Sequence, residues 1–141
     1  MSAKKIILVI DDEKEMQELI KLYLSDLNVE IYSAYDGVEG VRLYKELMMK
    51  KKKPDLVVMD LNLSGSKKLK DLIYQMKGRK MDGVRTTKKI MKIDPKANII
   101  GFTAFANFEW GKMLKRNGAK EVFGKNIGFD EFAKKVGEFL A

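Results

Sequence analysis

Apolar residues fall in two alternating rhythms along this chain, short unbroken runs and helically spaced stripes. Lys5–Ile10 and Leu56–Met59 are almost wholly apolar, the pattern of strands covered on both faces, and the β-rich stretches 29–35, 97–102 and 119–124 read as further strands. Between them the period changes. Met16, Leu19, Ile20, Tyr23 and Leu27 predict a helix over about 13–27, and Val38, Val41, Tyr44 and Met48 predict a second after the turn at Asp36 and Gly37. Pro54 cannot continue that helix. Another is predicted over about 83–93, closed by Asp94 and Pro95, and another over about 107–117, leaving through Asn117 and Gly118. Phe129, Phe132, Val136, Phe139 and Leu140 stripe the last one.

Strands alternating with helices predict an α/β fold, a doubly wound five-stranded parallel sheet in the order 2-1-3-4-5, flavodoxin-like in topology. All of 1–141 reads as a single domain without repeats, and no output domain is expected after the last helix. Residues 66–80 add a basic amphipathic insertion to this plan. There Leu69, Leu72, Ile73 and Met76 stand at i, i+3, i+4 and i+7, with Ser66 a suitable N-cap and Gly78 a suitable stop. A helix over about 67–77 is predicted after strand 3, with most of its lysines on the opposite face. Deleting the insertion is expected to leave a folded domain.

Composition narrows the chemistry. With 45% hydrophobic and 34% charged residues the chain is of ordinary globular type. It has no apolar run near the roughly 18 residues of a membrane span and no signal-peptide layout, so a cytoplasmic protein is expected, without membrane insertion. Cysteine and histidine are both absent, which removes disulfides, thiolate or imidazole zinc sites and Ser–His–Asp chemistry. A net charge of +8 raises nucleic acid as a partner. Yet the excess sits in Lys50 to Lys53 and in the cations of 66–80 (Lys67, Lys68, Lys70, Lys77, Arg79 and Lys80), leaving the rest nearly neutral, so nucleic acid is not expected.

In a sheet of this order, ligands bind beyond the C-terminal strand ends, near the reversal in strand order. Those ends carry Asp11 and Asp12, then Asp60, then Thr103, with Lys125 just past the fifth strand. Three carboxylates gathered in one crevice repel one another and persist chiefly by holding a divalent cation. A few carboxylates on an open face suit Mg²⁺ completed by water and a phosphate oxygen. A hydroxyl and an ammonium then complete a set suited to phosphoryl transfer, with one carboxylate as nucleophile.

Taken in order, the segments 6–12 with Glu13, Asp36 and Gly37, 57–63, Met81 to Gly83, Ile99 and Ile100 to Thr103 and Ala104, and Gly118 and Ala119 to Lys125 resemble the receiver domains of two-component signalling over nearly the whole chain. The resemblance implies a phosphoacceptor switch rather than an enzyme, one that catalyses only its own phosphorylation and dephosphorylation. Asp60 would take a phosphoryl group from a sensor histidine kinase and so change affinity for a downstream protein target. It further implies Asp12 as a direct Mg²⁺ ligand, Asp11 acting mainly through a metal-bound water, and Asn62 giving its backbone carbonyl. Thr103 would bind the phosphoryl group and Lys125 would pair with Asp60. Thr103, Ala104, Phe105 and Val122 would form the switch region.

Three departures from the family bear on this. Asn126 follows Lys125 where the family has a cis proline; a non-prolyl cis bond costs about 2.5–4 kcal/mol, so a trans loop with Lys125 somewhat displaced is expected. Val122 stands where the family usually carries an aromatic, with Phe123 expected on the opposite face. The insertion separates Asp60 from Met81 to Gly83. It either packs on the domain as a solvated appendage, or gates the site and offers basic charge to an acidic kinase or target. The family's two positions flanking the attacking water in dephosphorylation are Asn62, able to orient water, and Phe105, which offers no hydrogen bond. A comparatively long-lived phosphorylated state is therefore expected. Two alternatives are a pseudo-receiver acting as a phosphorylation-independent interaction module and an aspartyl-nucleophile phosphohydrolase. The latter normally has a second acid where this chain has Asn62. A flavodoxin-like cofactor binder would need a phosphate loop where the two aspartates stand.

Overall fold

The computed structural model describes residues 3–78 and 80–141; Arg79, one of the insertion's cations, lies outside them. The elements are β1 (Lys5–Ile10), α1 (Lys14–Tyr23), β2 (Val29–Ala34), α2 (Gly37–Met49), β3 (Leu56–Met59), α3 (Leu69–Met76), α4 (Gly83–Ile93), β4 (Ile99–Thr103), α5 (Glu109–Arg116), β5 (Glu121–Gly124) and α6 (Phe129–Leu140). All five strands are parallel, in the order β2-β1-β3-β4-β5. The doubly wound α/β sheet expected from the alternation of elements is therefore the one observed.

Strand alternation sends neighbouring residues to opposite faces. Leu8, Ile10, Val57, Met59 and Ile99 pack with Tyr44, Val84, Ile90, Trp110 and Leu114 of α2, α4 and α5. Ile7, Val9, Val58, Ile100 and Phe102 pack with Ile20 of α1 and with Phe132 and Val136 of α6 on the other face. Both faces being covered explains why β1, β3 and β4 are almost wholly apolar, Lys5 and Thr103 standing at strand ends. Among the described residues no helix is long and apolar enough to cross a membrane.

Several boundaries contract. The helix expected to 27 ends at Tyr23, and the chain turns through hydrogen bonds from Leu24, Ser25 and Leu27, so Leu27 reaches the core from a turn. The helix expected from 107 starts at Glu109. The inserted helix is real but shorter and rotated. It is capped by Lys68 rather than Ser66, whose hydroxyl instead accepts from the Lys68 N–H at 3.0 Å. Gly78 does end it, at φ +75°. Leu72 and Met76 face the core, while Leu69, 70% exposed, and Ile73 lie outside. The inward stripe is thus Leu72, Gln75 and Met76, because a short helix lying over an edge of the core buries a narrower face than four apolar residues would fill.

After the insertion the chain returns to where it left. Gly83 donates to the Leu61 carbonyl at 3.0 Å, and a Cβ at position 83 would overlap the Asp60 carbonyl oxygen. Only glycine permits that approach. Asp82, fully buried, caps α4 through the Arg85 N–H and also accepts from Arg85 Nη1 at 2.9 Å and Trp110 Nε1 at 2.7 Å.

Candidate functional site

The strand order reverses between β1 and β3: α1, leaving β1, packs on one face of the sheet and α4, reached from β3, on the other, so these two strand ends open into a crevice. Asp11 and Asp12 enter it from β1 and Asp60 from β3, with carboxylate oxygens lying within 4.8 Å of one another. Gln17 of α1, fully buried, donates to the carbonyls of Val9, Asp11 and Ala34 and so braces the end of β1 against β2. Lys125 crosses from beyond β5, its Nζ 3.0 Å from Asp60 Oδ2 and 3.2 Å from Asp11 Oδ2. The peptide bond after Lys125 is trans, as expected, yet the ammonium still reaches both carboxylates. Lys125 itself opens a turn of 3₁₀-helix over Lys125–Ile127.

The electrostatics follow from this crowding. Burial, and then the charge of Asp60, push the Asp11 carboxyl up to about 7. Burial raises Asp12 as well, against the opposing hydrogen bond from the Gly65 N–H. Burial alone would lower Lys125, but Asp60 and Asp11 outweigh it and hold its ammonium above the ordinary lysine value. With all groups ionised, three carboxylates against one ammonium leave a doubly negative pocket of hard oxygen donors, which fits a small divalent cation.

Around this pocket the other expected residues occupy distinct places. Thr103, fully buried, ends β4, and its Oγ1 accepts from the Phe105 N–H at 3.3 Å. Beside Asp60 a cavity of about 420 Å³ is lined by Ala104 and Phe105 on one side and by Lys67 and Leu72 of the insertion on the other. Phe105 packs tilted against Trp110, ring centres 5.1 Å apart. Val122 joins the same core face, while Phe123 lies on the opposite one, as the strand period required.

Asn62 is used differently from the sequence expectation for its side chain. Its Nδ2 donates to the Ser66 carbonyl at 2.9 Å, and its Oδ1 accepts from the Ser64 hydroxyl and from Gln75 Nε2, each at 2.8 Å. An amide so engaged organises its own loop rather than a water. That loop also touches the acidic cluster, since the Gly65 N–H donates to Asp12 Oδ2 at 2.7 Å. Gln17, Gln75 and Trp110 were missed as site-supporting residues. The available signal was an amide standing within an apolar helical stripe, Gln17 between Met16 and Ile20 and Gln75 between Leu72 and Met76.

The model of the response regulator receiver domain matches residues 7–137. The chain belongs to that family. As a receiver of two-component signalling it has relatives of similar length. It is 31% identical over 122 residues to the chemotaxis protein CheY of Thermotoga maritima, covering 86% of this chain and 85% of that protein. It is 24% identical over 134 residues to sporulation initiation phosphotransferase F of Bacillus subtilis, covering 95% and 92%. Among solved structures, a chain of the CheX–CheY–BeF3–Mg²⁺ complex from Borrelia burgdorferi superposes with a TM-score of 0.78 at 21% identity, over 99% of this receiver and 91% of that chain. At that identity the likeness concerns the fold.

Proposed function

We propose that this receiver is a phosphoacceptor switch in which Asp60 takes a phosphoryl group in a Mg²⁺-dependent reaction. The arrangement of Asp60 at the end of β3, paired with Lys125 and clustered with Asp11 and Asp12, is the observation that carries this reading. A carboxylate oxygen of Asp60 attacks phosphorus, forming a P–O bond as the bond from phosphorus to the donor's nitrogen or oxygen breaks. The donor departs with that electron pair. Lys125 and the Thr103 hydroxyl bear on the equatorial oxygens. A Mg²⁺ held by Asp11, Asp12, Asp60 and the Asn62 carbonyl would neutralise charge on those oxygens. The family and the relatives named above support a sensor histidine kinase as donor and a downstream protein as target, in the cytoplasm. Residues 1–141 would work as one receiver unit whose switch region comprises Thr103, Ala104, Phe105 and Val122.

Incubation with acetyl phosphate and Mg²⁺, followed by intact-protein mass spectrometry, tests this directly. Wild type gains one phosphoryl group, and Asp60→Asn gains none because its amide is nearly isosteric but not nucleophilic. Undiminished labelling of Asp60→Asn rejects Asp60 as acceptor. An unlabelled wild type leaves the phosphorylation-independent interaction module as the reading.

A further inference from the structure

We propose that Gln75, on the inserted helix, is a positioning residue for the loop that follows Asp60, so that the insertion is a working part of the cation site. The inference rests on the reading above, in which that loop contributes the Asn62 carbonyl. Gln75 is fully buried, although α3 is short and largely exposed. An amide in such a place is costly unless both its ends are hydrogen-bonded. Here both are. Oε1 accepts from the Leu63 N–H and Nε2 donates to Asn62 Oδ1, each at 2.8 Å. The partners flank the very backbone unit whose carbonyl is at issue, since the Asn62 carbonyl and the Leu63 N–H belong to one peptide plane. Fixing the N–H therefore fixes the direction of the carbonyl.

Gln75 is itself anchored. Its own carbonyl accepts from Arg85 Nη1 at 3.1 Å, and Arg85 is held in turn by Asp82 at the start of α4. The peptide plane is thus tied through α3 to the same α4 start that packs on Asp60. A leucine at position 75 would bury more favourably but make neither of the two side-chain hydrogen bonds. Outer residues that orient cation ligands typically change affinity by about 10–100-fold when removed.

The experiment compares Gln75→Met, which keeps the volume but removes both hydrogen bonds, with Met76→Ala, which weakens the same helix through packing alone. Mg²⁺ affinity is measured by calorimetry, unfolding by denaturant, and exchange of the Leu63 amide by NMR. Gln75→Met is expected to weaken Mg²⁺ binding about tenfold and to expose the Leu63 amide to exchange. Acetyl phosphate labelling is expected to recover at saturating Mg²⁺. Met76→Ala should lose stability yet keep Mg²⁺ affinity within about twofold. If Gln75→Met fails to fold, Gln75→Glu decides: it retains an acceptor for Leu63 but sets an oxygen against Asn62 Oδ1, and a smaller weakening is expected. Unchanged Mg²⁺ affinity in the Gln75 variants, or an equal loss in Met76→Ala, overturns the positioning role. A wild type that binds no Mg²⁺, or an Asp12→Asn variant that binds it as well as wild type, overturns instead the reading beneath it.

Discussion

Asp11 sits in a folded environment that pushes its carboxyl up to about 7, first by burial and then through Asp60. Between the ordinary value of 3.8 and that point the folded chain holds more protons than the unfolded one, so stability falls as pH rises through the window. Asp12 is raised as well and adds to the same slope. Without Mg²⁺, the denaturation midpoint should be higher at about pH 5.5 than at about pH 8, and added Mg²⁺ should remove the difference. A metal-free midpoint that climbs over this range contradicts the carboxylate cluster. Asp60→Asn deletes one cause of the Asp11 shift, so it should flatten the slope and raise metal-free stability near neutral pH by about 1 kcal/mol. Equilibrium unfolding of the pair without metal checks both. The acids themselves were legible because each ends a strongly apolar run. The side-chain partners of Asn62 were not, since two of them, Ser66 and Gln75, belong to an insertion whose inward face the apolar period misassigned.

The loop after β4 and the helix α3 face each other across the cavity beside Asp60. Phe105 forms one wall and offers no hydrogen bond, and Asn62 is held to its own loop through Oδ1 and one Nδ2–H, so neither side chain is set to orient an attacking water. Decay of phosphorylated protein should accordingly be slow, and Phe105→Gln should speed it several-fold in a time course by mass spectrometry. An unchanged decay rate would show that Phe105 does not shield the phosphoryl group. On the other wall, deletion of 66–80 no longer looks neutral. It would strip Leu72 and Met76 from the core and leave the Leu63 N–H without its acceptor. The shortened domain is expected to fold with stability lowered by about 2 kcal/mol or more, read from denaturant curves, and to need more Mg²⁺ for labelling. Equal stability would return the insertion to the status of an appendage. The insertion's helix was legible from its period, but its facing was misjudged because Leu69 and Ile73 are as apolar as the residues that pack.

Across the whole molecule the site exists only because the sheet closes over long distances in sequence. Lys125 is joined to Asp11 and Asp60 from the far edge of the strand order. Lys125→Met should leave the carboxylates uncompensated and cost about 1–3 kcal/mol in the absence of metal, partly restored by Mg²⁺. Thermal denaturation with and without Mg²⁺ measures that restoration, and a variant as stable as wild type in its absence would count against the pairing. The order β2-β1-β3-β4-β5 was readable beforehand, because alternating strand and helix periods with right-handed crossovers admit few arrangements. The acidic set was readable for the same reason: a parallel sheet brings all its C-terminal strand ends to one edge, so residues named at those ends must meet. Whether Lys125 would reach them through a trans bond, which face of α3 would turn inward, and that Gln75 would take hold of the loop after Asp60 were decided only in the tertiary structure. Those depend on loop conformation and packing around an insertion, where hydrophobic period fixes that a helix forms but not which neighbours its polar groups will find.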